Sequence, residues 1–188
     1  MELFDLYTAD RERTGRTMVR GEPVPEGCYR LVVHVCIFDT EGRMLIQQRQ
    51  PFKQGWSNLW DISVGGSAVA GDNSRAAAER ETREELGLSI DLSDVRPTLT
   101  IYWEYGFDDY YVLTRAVDLN TLNLQYEEVQ RVAWATKEEI LRMIDDGRFI
   151  PYEKSLIELL FFRRDHRSSH TQKDSKPEPG DIREGERQ

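Results

Sequence analysis

The chain has 188 residues, of which 39% are hydrophobic and 31% are charged. These values are typical of one soluble globular domain with a sizeable core and leave too little length for two comfortable domains. The formal net charge of −9 argues against a nucleic-acid or anionic-membrane surface as the main partner. An acidic protein can still bind phosphates, but it then needs local basic residues or a metal ion.

The cysteine content and the N-terminal sequence indicate the compartment. The two cysteines, Cys28 and Cys36, form no CxxC motif, and we interpret both as reduced and partly buried. The N-terminus is acidic and amphipathic and lacks the apolar run of a signal peptide. No stretch approaches the roughly 20 apolar residues of a membrane span. We therefore expect a cytoplasmic protein with no membrane partner.

The first third of the chain is predicted to consist of strands. Alternating or continuous apolar patterns predict them at 2–8, 30–39, 43–49 and 59–64, with a further short segment near 17–22. The strands at 30–39 and 43–49 should form a hairpin through the turn at 40–42. The strand at 59–64 should end at Gly65-Gly66. The run 23–27 is interpreted as a connector.

Helices and strands alternate in the remainder. A helix is predicted at about 73–86, ending at Gly87. Two antiparallel strands, 98–106 and 109–119, should turn around GFDD, and they precede a strand at 129–136 and helices at 137–147 and 152–164. This order predicts an α/β fold with a mixed sheet between helices.

Three segments follow from this division of the chain. Residues 1–27 should be an N-terminal segment joined to a main domain at 28–164, and residues 165–188 a disordered polar tail. His166 and His170 fall in that tail and are interpreted as solvated residues, not as metal ligands.

The stretch RETREELG, residues 80–87, raises the question of function. Helical steps of about 100° place Glu81, Glu84 and Glu85 within roughly a third of the circumference, where Glu81 and Glu85 repel each other. Converging carboxylates need a compensating charge, and oxygen ligands select Mg²⁺ or Mn²⁺, which also bind phosphates. We therefore predict that a metal ion and a diphosphate relieve the repulsion. The alternative is a solvated charged face.

The residues around this stretch disfavour the solvated face. Six positions at fixed spacing would match by chance roughly once in ten million starts, at about 7% per residue type. With this spacing the chain resembles the Nudix family, whose motif is Gly, five residues, Glu, seven residues, then Arg-Glu-apolar-any-Glu-Glu-any-Gly-apolar. The matching residues are Gly66, Arg80, Glu81, Glu84, Glu85, Gly87 and Leu88. Asp72 and Thr82 depart from it, at a Glu and an apolar position. Asp72 is then either a weakened outer metal contact or the helix cap.

The resemblance implies an α/β/α sandwich and hydrolysis of a diphosphate linked to another group, often a nucleoside. It implies Glu84 and Glu85 as metal ligands, Glu81 as ligand or base, Arg80 as the residue that orients Glu81, and the Gly65 carbonyl as a further ligand. Water would attack phosphorus. Many family members use one more acid from outside the motif. The candidates here are Asp72, Glu104, Asp108, Asp109, Glu127 and Glu128.

Cations and aromatic side chains supply candidates for substrate binding. Arg49 and Lys53 lie just before the predicted metal loop and could hold the terminal phosphate, or they are ordinary surface cations. A base-stacking platform could include one of several aromatic residues, although most aromatics at strand spacing belong to a core. These residues are Trp56, Trp60, Tyr102, Trp103, Tyr110 and Tyr111.

The stretch at 49–67 also resembles the isopentenyl diphosphate isomerase branch of the superfamily. Aligned on Trp60, the isomerase cysteine is replaced by Gly65 and a metal histidine by Ser67, and neither replacement can move a proton. Arg30 falls where an upstream metal histidine would lie. His34 is offset from that position and is interpreted as a satisfied core residue.

The function predicted from the sequence is therefore metal-dependent hydrolysis of a small diphosphate metabolite. Isomerase chemistry and a non-catalytic nucleotide-binding module are the alternatives. A homodimer through the N-terminal strand is a further expectation.

Overall fold

The computed structural model describes residues 2–166 and 168. The strands are β1 (Leu3–Tyr7), β2 (Arg13–Val19), β3 (Arg30–Phe38), β4 (Met44–Arg49), β5 (Trp60–Asp61), β6 (Val64–Ser67), β7 (Leu99–Trp103), β8 (Gly106–Thr114) and β9 (Val129–Ala135). The helices are α1 (Ser74–Leu86), α2 (Lys137–Asp145) and α3 (Lys154–Asp165). Most of the predicted tail lies outside the described residues.

The main sheet is mixed and is built around β3. This strand runs parallel to β8 and antiparallel to β6, and β8 continues into β7 as an antiparallel neighbour. On the other side, β4 pairs with β5 and β9. The hairpin partners β3 and β4 share only the pair Phe38–Met44 before they diverge.

The strand predicted at 59–64 fills the space between the diverging strands and is broken in two. Its first part, β5, pairs with β4, and its second part, β6, pairs with β3. Ser63 lies at the break: its hydroxyl donates to the Leu45 carbonyl at 2.5 Å and accepts from the Ile37 amide at 2.9 Å. The strand was predicted to end at Gly65-Gly66, and β6 ends one residue later, at Ser67.

The turn predicted at GFDD is also misplaced. The turn is formed by Glu104 and Tyr105, and Gly106 begins β8. A Cβ atom on Gly106 would overlap the Arg30 carbonyl oxygen, so this glycine permits close approach of two strands and does not form a turn. The strand β8 then ends at Thr114, five residues before the predicted 119.

Helices cover both faces of the main sheet, and the predicted α/β/α sandwich is confirmed. The helix α1 packs Ala77, Ala78 and Leu86 on one face, and α2 and α3 pack apolar residues such as Ile140 and Ile157 on the other. The hairpin of β1 and β2 encloses a small separate cluster of Phe4, Leu6, Met18 and Cys28. It joins the main sheet through a bridge between Tyr7 and Tyr29.

The structure also describes the two cysteines and the apolar character of the helices. Cys28 and Cys36 are free, as expected, but both are buried, whereas partial burial was predicted. In the part of the chain that the structure describes, no helix has the length and apolar character needed to cross a membrane.

Candidate active site

The ends of α1 place its acidic residues against β6. Asn73 caps the N-terminus by accepting from the Ala76 amide at 3.0 Å, and Gly87 ends the helix in the left-handed region at φ 66°. The interpretation of Asp72 as the cap is therefore wrong. Asn73 takes that role, so the Asp72 carboxylate can accept a hydrogen bond from a cationic side chain.

That cation is Arg80, which lies at the centre of the acidic group. Its guanidinium donates to Asp72 at 2.9 Å, to Glu81 at 2.9 Å and to Glu84 at 3.0 Å, and it reaches the Ser67 carbonyl at 3.1 Å. These partners raise the pKa of Arg80 despite its partial burial. A planar fork with several donors can make this set of contacts, whereas an ammonium group cannot. Arg80 therefore supplies part of the compensating charge that the sequence assigned to a metal.

Glu81 depends on a glycine of β6. A Cβ atom on Gly66 would overlap the Glu81 carboxyl carbon, so the motif glycine leaves the space in which this carboxylate lies. Burial raises the pKa of Glu81 to about 6, and the neighbouring Arg80 opposes that shift. A carboxylate with such a pKa can hold or release a proton near neutral pH.

Glu85 is the most deeply buried acid of the motif, and no direct cation contact is found for it in residues 2–166. The side-chain amide of Gln47 donates to it at 2.9 Å. Burial raises the pKa of Glu85 to about 8; the Gln47 contact lowers it, and the charges of Glu81, Asp61 and Glu128 raise it further. With this pKa, Glu85 is largely neutral at pH 7 when no cation is bound to it.

The donor set fits a hard divalent ion in its chemistry. Three carboxylates of one helix face and the unpartnered buried Oε1 atom of Gln47 are oxygen donors. However, no group of three His, Cys, Asp or Glu side chains in residues 2–166 and 168 is arranged as a ready metal site. The reason is that Glu81 and Glu84 direct their carboxylates to Arg80.

Gly65 lies beside His34, and the two are register partners on β6 and β3. His34 directs Nε2 toward Asp108 at 3.4 Å and stacks on Tyr110. Its Nδ1 atom is buried and has no hydrogen-bond partner among the described residues. The interpretation of His34 as a satisfied residue is therefore wrong for Nδ1, because the neighbouring Gly65 offers no side chain to this atom.

The two predicted phosphate-binding cations differ in their contacts. Lys53 forms an ion pair with Glu128 at 2.5 Å, so the structure joins a predicted cation to a predicted outer acid. The Arg49 Nε atom is buried and unpartnered within the described chain. Burial raises the pKa of Asp61, and the charge of Arg49 opposes that rise, so Arg49 has a donor available near Asp61.

Most other outer-acid candidates are engaged elsewhere. Asp108 accepts from the Trp103 indole at 2.8 Å, and the fully buried Asp109 binds Arg11 at 2.7 Å. Glu104 lies in the β7–β8 turn beside Tyr105. That turn contacts β3 at Arg30. Arg30 is four residues along the strand from His34, the register partner of Gly65, and this separation corresponds to about 13 Å. Glu127 is exposed. Of this set, Glu128 is the acid whose charge reaches Glu85.

Sequence reasoning missed Gln47 and Asp61, which are register partners on β4 and β5. Asp61 is buried and accepts from the Tyr152 hydroxyl at 2.8 Å, and burial raises its pKa. A signal was available, since a glutamine and an aspartate inside apolar strands are unusual. The pattern did not show that both would lie near Glu85.

Comparisons with known proteins agree with this geometry. The family model for the NUDIX domain matches residues 29–175. An uncharacterised Nudix hydrolase of Listeria innocua is 51% identical over 152 residues, covering 81% of this chain and 90% of that protein. The crystal structure of DR0079 from Deinococcus radiodurans has a TM-score of 0.68 and 27% identity, covering 85% of this chain and 97% of that one. An isopentenyl-diphosphate Delta-isomerase of Serratia proteamaculans is 37% identical over 94 residues, about half of each protein.

The fold and the acidic helix define a protein of the diphosphate-hydrolase type. The chain belongs to the Nudix family, and we class it as an enzyme, a hydrolase.

Proposed function

We propose that the protein hydrolyses a diphosphate bond in a small metabolite, such as a nucleoside diphosphate linked to another group, with Mg²⁺ or Mn²⁺ as cofactor. The observation that carries this proposal is the position of buried Glu85 next to the Arg80-centred acids. Ionisation of a buried carboxyl group that has no direct cation partner within residues 2–166 is costly, and a divalent ion would supply the missing positive charge.

In this proposal Glu81, Glu84 and Glu85, with the Gly65 carbonyl, hold the ion. When bound, the ion activates water and neutralises the leaving phosphate. The oxygen of water forms a bond to phosphorus, and the bridging P–O bond breaks.

The protein side chains orient the reactants. Arg80 donates to one oxygen of the Glu81 carboxylate at 2.9 Å and would orient it, and an oxygen of Glu81 that is not bound to the ion would accept the proton of the attacking water. The unpartnered donor of Arg49 and the ammonium of Lys53 bind the terminal phosphate, and Lys53 exchanges Glu128 for the substrate.

The experiment is phosphate release from a panel of nucleoside diphosphate derivatives with Mg²⁺, Mn²⁺ or EDTA. We expect metal-dependent turnover by the wild type and a loss of at least about a hundredfold in Glu81→Gln and Glu84→Gln. The matched control is Glu138→Gln, an exposed acid in the first turn of α2. Equal inertness of wild type and variants on every compound would instead favour a binding module.

The isomerase alternative has its own assay. Incubation with isopentenyl diphosphate and Mg²⁺ should yield no dimethylallyl diphosphate, because Gly65 and Ser67 cannot move a proton through their side chains. Formation of that product at enzymatic rates would replace the hydrolase proposal. A cytoplasmic location, a homodimer and the division at residues 27 and 164 stay predictions of the sequence.

A further inference from the structure

Two aromatic side chains lie side by side in solvent. Phe52, in the loop after β4, is 58% exposed, and Tyr126, in the loop before β9, is 70% exposed. Their ring centroids are 5.9 Å apart, with the planes inclined by 41°. The two rings together form an exposed apolar surface, and aromatic side chains of this kind offer flat faces on which a ligand can stack.

A backbone hydrogen bond and a side-chain ion pair connect the segments that carry the two rings to the acidic residues of the site. Gln125, the neighbour of Tyr126, donates its amide to the Glu85 carbonyl at 3.0 Å. Lys53, the neighbour of Phe52, forms the ion pair with Glu128. Tyr126 is therefore one residue from a backbone amide that contacts Glu85, a proposed metal ligand, and Phe52 is one residue from Lys53, a proposed phosphate-binding cation.

We propose that Phe52 and Tyr126 stack on the planar base of a nucleoside diphosphate substrate and so determine its class. The inference rests on the proposed function. The diphosphate would lie over the acids of α1 with Arg49 and Lys53, while the base extends to the two rings at the rim. Stacking on aromatic side chains tolerates any base, because every base has a π-face.

Four of the six stacking candidates from the sequence are less suitable: Trp60, Tyr102, Tyr110 and Tyr111. Tyr110 and Tyr111 are buried in the two cores, and Trp60 is covered by the Arg131 guanidinium at 5.1 Å from its ring. Tyr102 is 61% exposed but lies on β7, at the opposite edge of the sheet from β9. Tyr102 is thus an exposed aromatic residue outside the proposed site.

The test compares Tyr126→Ala, Phe52→Ala and Tyr126→Phe with Tyr102→Ala as the matched control. Calorimetry measures binding of α,β-methylene-ADP and of isopentenyl diphosphate with Mg²⁺, which requires no turnover, and kinetics measure the KM for ADP and ADP-ribose. We expect each alanine variant at positions 52 and 126 to weaken binding of α,β-methylene-ADP by about tenfold or more. Tyr126→Phe and Tyr102→Ala should stay within about twofold of the wild type.

The non-aromatic diphosphate separates stacking from a general structural effect. Binding of isopentenyl diphosphate, measured in the same way, should be equal in all variants, since it has no base. If Tyr126→Ala and Phe52→Ala bind α,β-methylene-ADP as the wild type does, the inference is wrong. It is equally wrong if they weaken both ligands alike. Absence of hydrolysis by the wild type would contradict the proposed function, while the binding comparison would still decide the role of the two rings.

Discussion

Replacing Glu85 by glutamine should stabilise the metal-free protein at neutral and alkaline pH. The substitution keeps the shape of the side chain and an oxygen that can accept from Gln47, whose amide donates to Glu85 at 2.9 Å. It removes the carboxylate that burial and the charges of Glu81, Asp61 and Glu128 disfavour. Glu85, which the proposed reaction needs, would therefore lower the stability of the folded protein when no metal ion is bound.

The magnitude follows from the pKa of Glu85. Folding raises it from the ordinary 4.5 to about 8, so the folded protein binds more protons than the unfolded chain between these values. The free energy of unfolding therefore falls as the pH rises through this window. At about 1.4 kcal/mol per pH unit, the wild type should be less stable than Glu85→Gln by about 1 kcal/mol at pH 5, about 3 kcal/mol at pH 7 and about 5 kcal/mol at pH 9.

The assay is urea unfolding with EDTA at these three pH values. The matched control is Glu84→Gln, because Glu84 is 46% exposed and its ion pair with Arg80 is partly solvated. Such a pair contributes about 0–1 kcal/mol, so the control should show little pH-dependent difference from the wild type. A Glu85→Gln variant that is no more stable than the wild type at pH 9 would refute the reasoning.

Three further predictions concern the same site. Gly66→Ala should lower kcat/KM by about a hundredfold with an unchanged circular dichroism spectrum, because the new Cβ would displace the Glu81 carboxylate; full activity would contradict this. Arg80→Lys should lower both kcat and the melting temperature, because an ammonium group cannot replace the guanidinium that binds Asp72, Glu81 and Glu84. Kinetics measure kcat and calorimetry measures the melting temperature, and wild-type values of both would contradict this prediction. Lys53→Met should raise the KM for the diphosphate substrate. An unchanged KM would mean that Lys53 forms only its ion pair with Glu128 and does not bind the substrate.

The sequence predicted most of the architecture because the apolar periodicity is strong. The helix at 73–86 differs by one residue from α1, whose ends are fixed by Asn73 and Gly87. The errors fall where a glycine or a serine has two possible roles. Gly106 permits close packing on Arg30 instead of a turn, and Ser63 breaks a strand by bonding to both of its neighbours.

The candidate site was predictable only in part, for a similar reason. The acids of α1 follow from helical spacing, because spacing along one element is encoded locally. Contacts between elements are not: the Gln47–Glu85 hydrogen bond spans 38 residues and the Lys53–Glu128 ion pair spans 75. Neither pairing leaves a pattern in a single sequence, since each depends on the sheet order that brings β4, α1 and the β9 loop together.

Two different effects relieve the repulsion among Glu81, Glu84 and Glu85 on α1. Arg80 neutralises Glu81 and Glu84 through hydrogen bonds of 2.9 and 3.0 Å, and burial keeps Glu85 protonated instead. An entering divalent ion would then release the proton of Glu85 and compete with Arg80 for the other two acids. Metal affinity should therefore rise with pH through the pKa of Glu85.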